Sequence, residues 1–284
     1  MSESYRAIAD LFGTNLGEES GERATYKEGQ TAAESDQLGQ LSLESGKYSE
    51  AIEHFRRAVD QRDEDDISSR ISLAGAMESA DLLPQAYRQY LKALDLKSDE
   101  VEPHAGLSDL LKRHGKFRES VEQLQLALEK EPNSAYINFK LAETLRDGGA
   151  PRKALEYAIN AIVIKPDDAF FHFFVGELHT SLGNYEEALQ SLRAAVELSP
   201  GDDYFYLRCV VPFWNLGMKT EAIKAVRLAS DLNPAKNFYY GLLEELLRAN
   251  GQEEEAELEV TRASQMDRYD DEDLDRILAE LKMS

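Results

Sequence analysis

The stretch LAETLRDGGAPRKALEYAINAI, residues 141–162, decides the fold. Ala154 and Ala161 lie seven residues apart and so share one stripe of a helix, where small side chains let a neighbouring helix approach closely. Gly149 stands just before them, at the place where a left-handed residue ends one helix and lets the next begin. Leu141, eight residues before that glycine, is core-facing on the preceding helix. The stretch therefore reads as a helical hairpin. Thirty-four residues on, VGELHTSLGNYEEALQSLRAAVELSP from Val175 puts Gly183, Ala188 and Ala195 at the same places. Toward the N-terminus, LGQLSLESGKYSEAIEHFRRAV from Leu38 does so with Gly46, Ala51 and Ala58.

The pattern runs through most of the chain. Ala58, Ala93, Ala127, Ala161, Ala195, Ala229 and Ala263 follow one another at intervals of 35, 34, 34, 34, 34 and 34 residues. Seven residues before each come Ala51, Ala86, Ser120, Ala154, Ala188, Ala222 and Ala256. The turn positions hold Gly46, Asp81, Gly115, Gly149, Gly183, Gly217 and Gly251, and the core positions eight before them Leu38, Leu73, Leu107, Leu141, Val175, Cys209 and Leu243. Pro132, Pro166, Pro200 and Pro234 close the middle units, since proline ends one helix pair and starts the next.

Period and positions together resemble the tetratricopeptide repeat, a helix–turn–helix of 34 residues. In this register the units are 32–65, 67–100, 101–134, 135–168, 169–202, 203–236 and 237–270. The resemblance implies an all-α fold, a right-handed α–α superhelix of seven helix–turn–helix repeats. Its first helices line a concave face that commonly holds an extended peptide or a short helix. Residues 271–284, DEDLDRILAELKMS, place Leu274, Ile277, Leu278 and Leu281 on one helical face. They are expected to form a C-terminal capping helix over the last hairpin, with an acidic docking tail as the alternative. Residues 1–31 do not fit the repeat and are expected to be mobile. Tyr5, Ile8, Leu11 and Phe12 within them form a short apolar stripe that packs on the first unit or docks elsewhere.

In the family, positions 2, 5, 9, 12 and 13 of a unit face the ligand. Units one to three hold Ala33, Asp36, Gln40, Ser68, Ile71, Gly75, Glu102, Ala105, Asp109 and Lys112 there, a small or polar wall. Units four to seven hold Tyr136, Phe139, Phe170, Phe173, Tyr204, Leu207, Val211, Trp214 and Phe238, an aromatic wall that is the candidate peptide-binding groove. Part of the aromatic set must pack between units; Phe171, Phe205 and Tyr239 are the candidates for that. Pro212, in the first helix of unit six, crowds the carbonyl of Arg208 and should kink the helix beside Trp214. The lysine and asparagine clamp by which chaperone-binding members grip a terminal carboxylate is missing. Its positions hold Asp36, Gln40, Ser72, Ala105 and Asp109 in one set of units and Phe139, Glu143, Phe174, Leu207 and Val211 in the other.

Composition bounds the function. With 32 Lys and Arg against 54 Asp and Glu, the net charge is −22, which repels phosphate backbones and anionic lipid and attracts basic partner segments. Nucleic acid and membrane are therefore not expected as partners. The 284 residues include no phosphate-binding glycine loop, no HExxH and no CxxC, so neither a catalytic site, a metal nor a cofactor is expected. His172 and His179 are too few to form a metal site, and Cys209 sits at a core position. The N-terminus has neither a basic n-region nor a long apolar run, which makes cytoplasmic residence the expectation. The sequence thus predicts a non-catalytic protein–protein interaction scaffold. Two alternatives stay open: a homo-oligomer in which the N-terminal segment docks in a neighbour's groove, and a regulatory subunit of an enzyme complex.

Overall fold

The computed structural model describes residues 31–62, 67–97, 100–264 and 271–281. The expectations for residues 1–30, including Tyr5, Ile8, Leu11 and Phe12, lie outside the described residues. Every element among the described residues is a helix. The chain divides into two compact units, Met1–Pro132 and Asn133–Ser284.

In the first unit, α1 (Ala32–Glu44) pairs with α2 (Tyr48–Gln61), α3 (Ser68–Ser79) with α4 (Leu83–Leu96), and α5 (Val101–Arg113) with α6 (Phe117–Lys130). Each pair also packs on the next through α2 with α3 and α4 with α5. In the second unit, α7 (Ala135–Asp147) pairs with α8 (Pro151–Ile164), and α9 (Ala169–Ser181) with α10 (Tyr185–Leu198). The pattern continues with α11 (Asp203–Arg208) and α12 (Val210–Asn215) against α13 (Lys219–Leu232), and with α14 (Phe238–Ala249) against α15 (Glu253–Ser264). The last helix is α16 (Asp271–Leu281).

The turns follow the backbone chemistry of their residues. Gly149 has φ +78°; its N–H donates to the Arg146 carbonyl at 3.0 Å and the Ala150 N–H to the Leu145 carbonyl at 2.8 Å. That pair of bonds satisfies carbonyls that a helix end would otherwise leave without donors. At the α3–α4 turn the same conformation falls on Asp81, φ +59°, the one non-glycine residue in the left-handed region among those described.

Packing follows the small residues. The alanines at 51, 58, 86, 93, 127, 154, 161, 188, 195, 222, 229 and 256 are all 0% exposed, as is Ser120, whose hydroxyl donates to the Ser108 carbonyl at 2.9 Å. On the first helices Leu73, Leu107, Leu141, Val175, Cys209 and Leu243 are buried, whereas Leu38 is half-buried. Gly176 lets α9 approach α10: a Cβ there would stand 2.6 Å from Leu192.

The helix expected as a cover for the final hairpin, α16, packs on α12 and α14, which are first helices of units six and seven. Its Ile277 and Leu281 are buried in the apolar cluster that contains Leu207, Val211, Phe238 and Leu242.

Candidate partner-binding face

The first helices of units four, five and six begin on side-chain caps. Ser134, Asp168 and Asp202 accept from the backbone N–H of Ile137 (3.5 Å), Phe170 (3.1 Å) and Tyr204 (3.0 Å). A further tie recurs at position 4. His172 bonds through Nε2 to the Pro166 carbonyl at 2.8 Å, and the hydroxyls of Tyr206 and Tyr240 donate to those of Pro200 (3.1 Å) and Pro234 (3.3 Å). These bonds fix where each first helix starts and so aim the rings of its first two turns.

The rings form a ladder across three first helices. Phe139 of α7 meets Phe170 of α9 edge-on, centroids 5.3 Å apart; Phe170 meets Phe173 at 5.9 Å, and Phe173 meets Tyr204 of α11 at 5.6 Å. Inner contacts tie it down: Phe139 to Phe171 and Phe174 at 5.7 and 5.1 Å, and Phe173 to Phe205 at 5.1 Å. Such pairs add about 0.5–1.5 kcal/mol each beyond the area they bury. The geometry has a simple rule: position 5 of one hairpin meets position 2 of the next.

That rule splits the nine predicted groove residues. Tyr136 and Phe170 are 53% and 46% exposed. Phe139, Tyr204 and Trp214 are half-buried. Phe173, Leu207, Val211 and Phe238 are buried and belong to the core cluster, which corrects the expectation that they line an open groove. They face the adjoining hairpin, and the cluster that seals Leu207, Val211 and Phe238 includes residues of α16. Phe171, Phe205 and Tyr239 are buried between hairpins. Two cations lie over the accessible rings, Lys140 Nζ 5.6 Å from the Tyr136 centroid and Lys219 Nζ 4.9 Å from that of Trp214.

Pro212 interrupts its helix as expected. Regular helix stops at Arg208 and resumes at Val210. Cys209, at the break, donates through Sγ to the Phe205 carbonyl at 3.3 Å, and burial pushes its thiol up to about 12. Behind the break, between α10, α11, α12 and α13, lies an apolar cleft of about 320 Å³ lined by Cys209, Phe213, Val196 and Leu228 among others.

The side chain of Arg208 is a functional group outside the expected site residues. It is buried, and its Nε donates to Glu177 of α9 at 2.7 Å while Nη1 and Nη2 donate to the two carboxylate oxygens of Glu280 of α16 at 3.4 and 3.0 Å. Burial lifts the Glu177 carboxyl above its ordinary range against the pull of the guanidinium, whereas its two carboxylate partners hold Arg208 ionised. A signal was available: Arg208 is the one charged residue between Asp203 and Lys219, and a charge inside an apolar helix needs partners.

The histidines make no cluster. Burial lowers the His179 pKa, and the ring lies 3.5 Å from Asn184. Among the described residues no three His, Cys, Asp or Glu side chains converge as metal ligands.

Models of the tetratricopeptide repeat match residues 36–65, 106–169 and 169–202. The chain belongs to the tetratricopeptide-repeat family. As such it is a protein–protein interaction scaffold, and repeats of this family generally carry no catalysis. No curated protein sequence matches it. Solved tetratricopeptide structures share the fold. PilF of Pseudomonas aeruginosa aligns with a TM-score of 0.60 at 17% identity, over 72% of this chain and 92% of its own. YrrB, described as a tetratricopeptide-repeat protein with an unusual peptide-binding site, aligns at 0.53 and 23% identity, over 63% of this chain and 92% of its own. MamA from Desulfovibrio magneticus aligns at 0.52 and 16% identity, over 61% and 96%. No helix among the described residues is long and apolar enough to cross a membrane.

Proposed function

We propose that this tetratricopeptide chain binds an apolar peptide or helix of a partner protein on the first-helix face of units four to six. The observation that carries the reading is the ladder from Phe139 to Tyr204, which holds Phe170 in place though it is about half exposed, with the equally exposed Tyr136 one turn before Phe139 on the same helix. Exposed rings held by packing bind without a large ordering cost, which is why aromatic side chains dominate binding hot spots. Burying two or three of them could contribute roughly 1.5–3 kcal/mol each before association costs, enough for micromolar affinity. The net charge of −22 favours a partner with basic flanks. The face carries the binding and no chemistry; catalysis, where this scaffold serves an enzyme, belongs to the partner.

The test uses the two most exposed rings. The full chain carrying Tyr136→Ser and Phe170→Ser should keep its helical circular dichroism and lose partner capture in affinity-capture mass spectrometry. An unchanged partner set would refute the assignment. Phe173→Ala is a poorer choice, because that ring packs on Phe170, Tyr204 and Phe205 and its loss would unsettle the stack.

A further inference from the structure

The second unit already holds an amphipathic helix on its first-helix face. α16 lies on α12 and α14, and its Leu274, Ile277, Leu278 and Leu281 all pack on the cluster built around Leu207, Val211 and Phe238. A polar anchor holds it as well, the two-pronged bond from Arg208 to Glu280. Arg208 keeps a second carboxylate, Glu177, on α9, so the guanidinium would not be left bare if Glu280 withdrew. α16 has 11 residues, fewer than an isolated helix needs to persist in water, so its helicity depends on docking. A short tethered helix, an apolar seat and a buried cation that stays paired without it are the parts of an exchangeable ligand.

We propose that α16 is the molecule's own occupant of this face, and that a partner protein's helix of the same chemistry takes its place. The inference deepens the reading above, on which it rests: it names the partner class at the end of the face nearest the C-terminus. That class is a helix with apolar residues at i, i+3, i+4 and i+7, matching Leu274, Ile277, Leu278 and Leu281, and a carboxylate at i+6, matching Glu280. Arg208 selects for the carboxylate, since its bidentate bond is directional and a neutral side chain cannot reproduce it. Covalent attachment gives α16 an effective concentration of millimolar order, so it screens out weak helices and yields to strong ones.

The experiment keeps the full chain and uses a fluorescein-labelled peptide of residues 271–281 as the probe. Ile277→Asp with Leu281→Asp in the chain weakens docking of the tethered helix. The labelled wild-type peptide should then bind that variant at least tenfold more tightly than it binds the wild-type chain, read by fluorescence anisotropy. A Glu280→Gln peptide should bind about tenfold more weakly than the wild-type peptide. Amide hydrogen exchange on the unmodified chain gives a second readout: α16 should exchange by local opening, at least tenfold faster than the buried amides of α14. Equal protection of α16 and α14, loss of helical signal in the double variant, or failure of the peptide to bind it would each overturn the proposal. Equal binding of the two peptides would overturn the carboxylate requirement. The chain with Tyr136→Ser and Phe170→Ser separates the two readings, because it should still bind the peptide once α16 is weakened even where the aromatic ladder proves to bind nothing.

Discussion

The unit spanning 31–132 and the unit spanning 133–281 are built on one interior and finished with two different first-helix faces. In the first, Asp36 accepts from Arg62 and from Ser69 at 3.0 Å, and Glu78 accepts from Arg113 at 3.0 Å and from the Tyr90 hydroxyl at 3.5 Å. In the second, the corresponding helices carry the ladder of rings and a single buried guanidinium. In both units the hairpins stack through their small second-helix residues, their turns and the buried residues of their first helices. The outward positions of the first helix are free of that duty. One unit covers them with polar bonds, which in half-exposed settings are worth little; the other leaves rings in reach of a partner.

If the interior is common to both units, equal insults to it should have equal effects. Ala93 and Ala195 occupy the same register and are both 0% exposed. Ala93→Leu and Ala195→Leu should each lower stability by roughly 1–3 kcal/mol, since extra methylenes in a filled seam force side chains off their rotamers. Chemical denaturation followed by circular dichroism reads both. A large loss in one unit and none in the other would break the common-interior account.

The turns offer a smaller test that sharpens the contrast. Gly149 and Asp81 share the left-handed conformation, φ +78° and +59°. Gly149→Ala should cost about 1–2 kcal/mol through the clash of its Cβ with the following carbonyl. Asp81→Gly should change stability by well under 1 kcal/mol, because relief of the clash is offset by the greater freedom of glycine in the unfolded chain. Thermal melts of the two variants should differ visibly. A destabilised Asp81→Gly chain would mean that the Asp81 side chain contributes something beyond filling the turn.

Most of this architecture was legible in the sequence because its determinants are local. An alanine seven residues before another and a glycine ahead of both carry the hairpin wherever they occur, and twelve of the alanines named from spacing alone, from Ala51 to Ala256, are buried to 0%. The functional face was legible only in part. Composition located the rings on the right helices. It could not say that Phe173, Leu207, Val211 and Phe238 turn toward an adjoining element, since that depends on which position of one hairpin meets which position of the next. The seat of α16 and the pairing of Arg208 with Glu177 and Glu280 join residues 31 and 72 positions apart, and no periodicity reports such contacts.

The smallest effect concerns two carboxylates of the second unit that respond to acid in opposite directions. Partial burial would raise the Asp203 carboxyl, but hydrogen bonds from Lys236 at 2.7 Å, from Tyr239 and from Asn233 outweigh it and its pKa is lowered. Stability from Asp203 is therefore fully present above the unfolded carboxylate pKa of about 4 and is lost as the pH falls through the lower folded value. Glu177 has a raised pKa, chiefly through burial, so the fold takes up a proton there before the unfolded chain does. Its contribution is present below the unfolded pKa and lost as the pH rises through the folded one. Asp203→Asn should make the loss of stability between about pH 5 and pH 3 shallower, and Glu177→Gln should make it steeper. Denaturant midpoints measured across that range decide the matter. Parallel curves for the two variants would mean that the Lys236 bond and the Arg208 pair do not set these carboxylates apart.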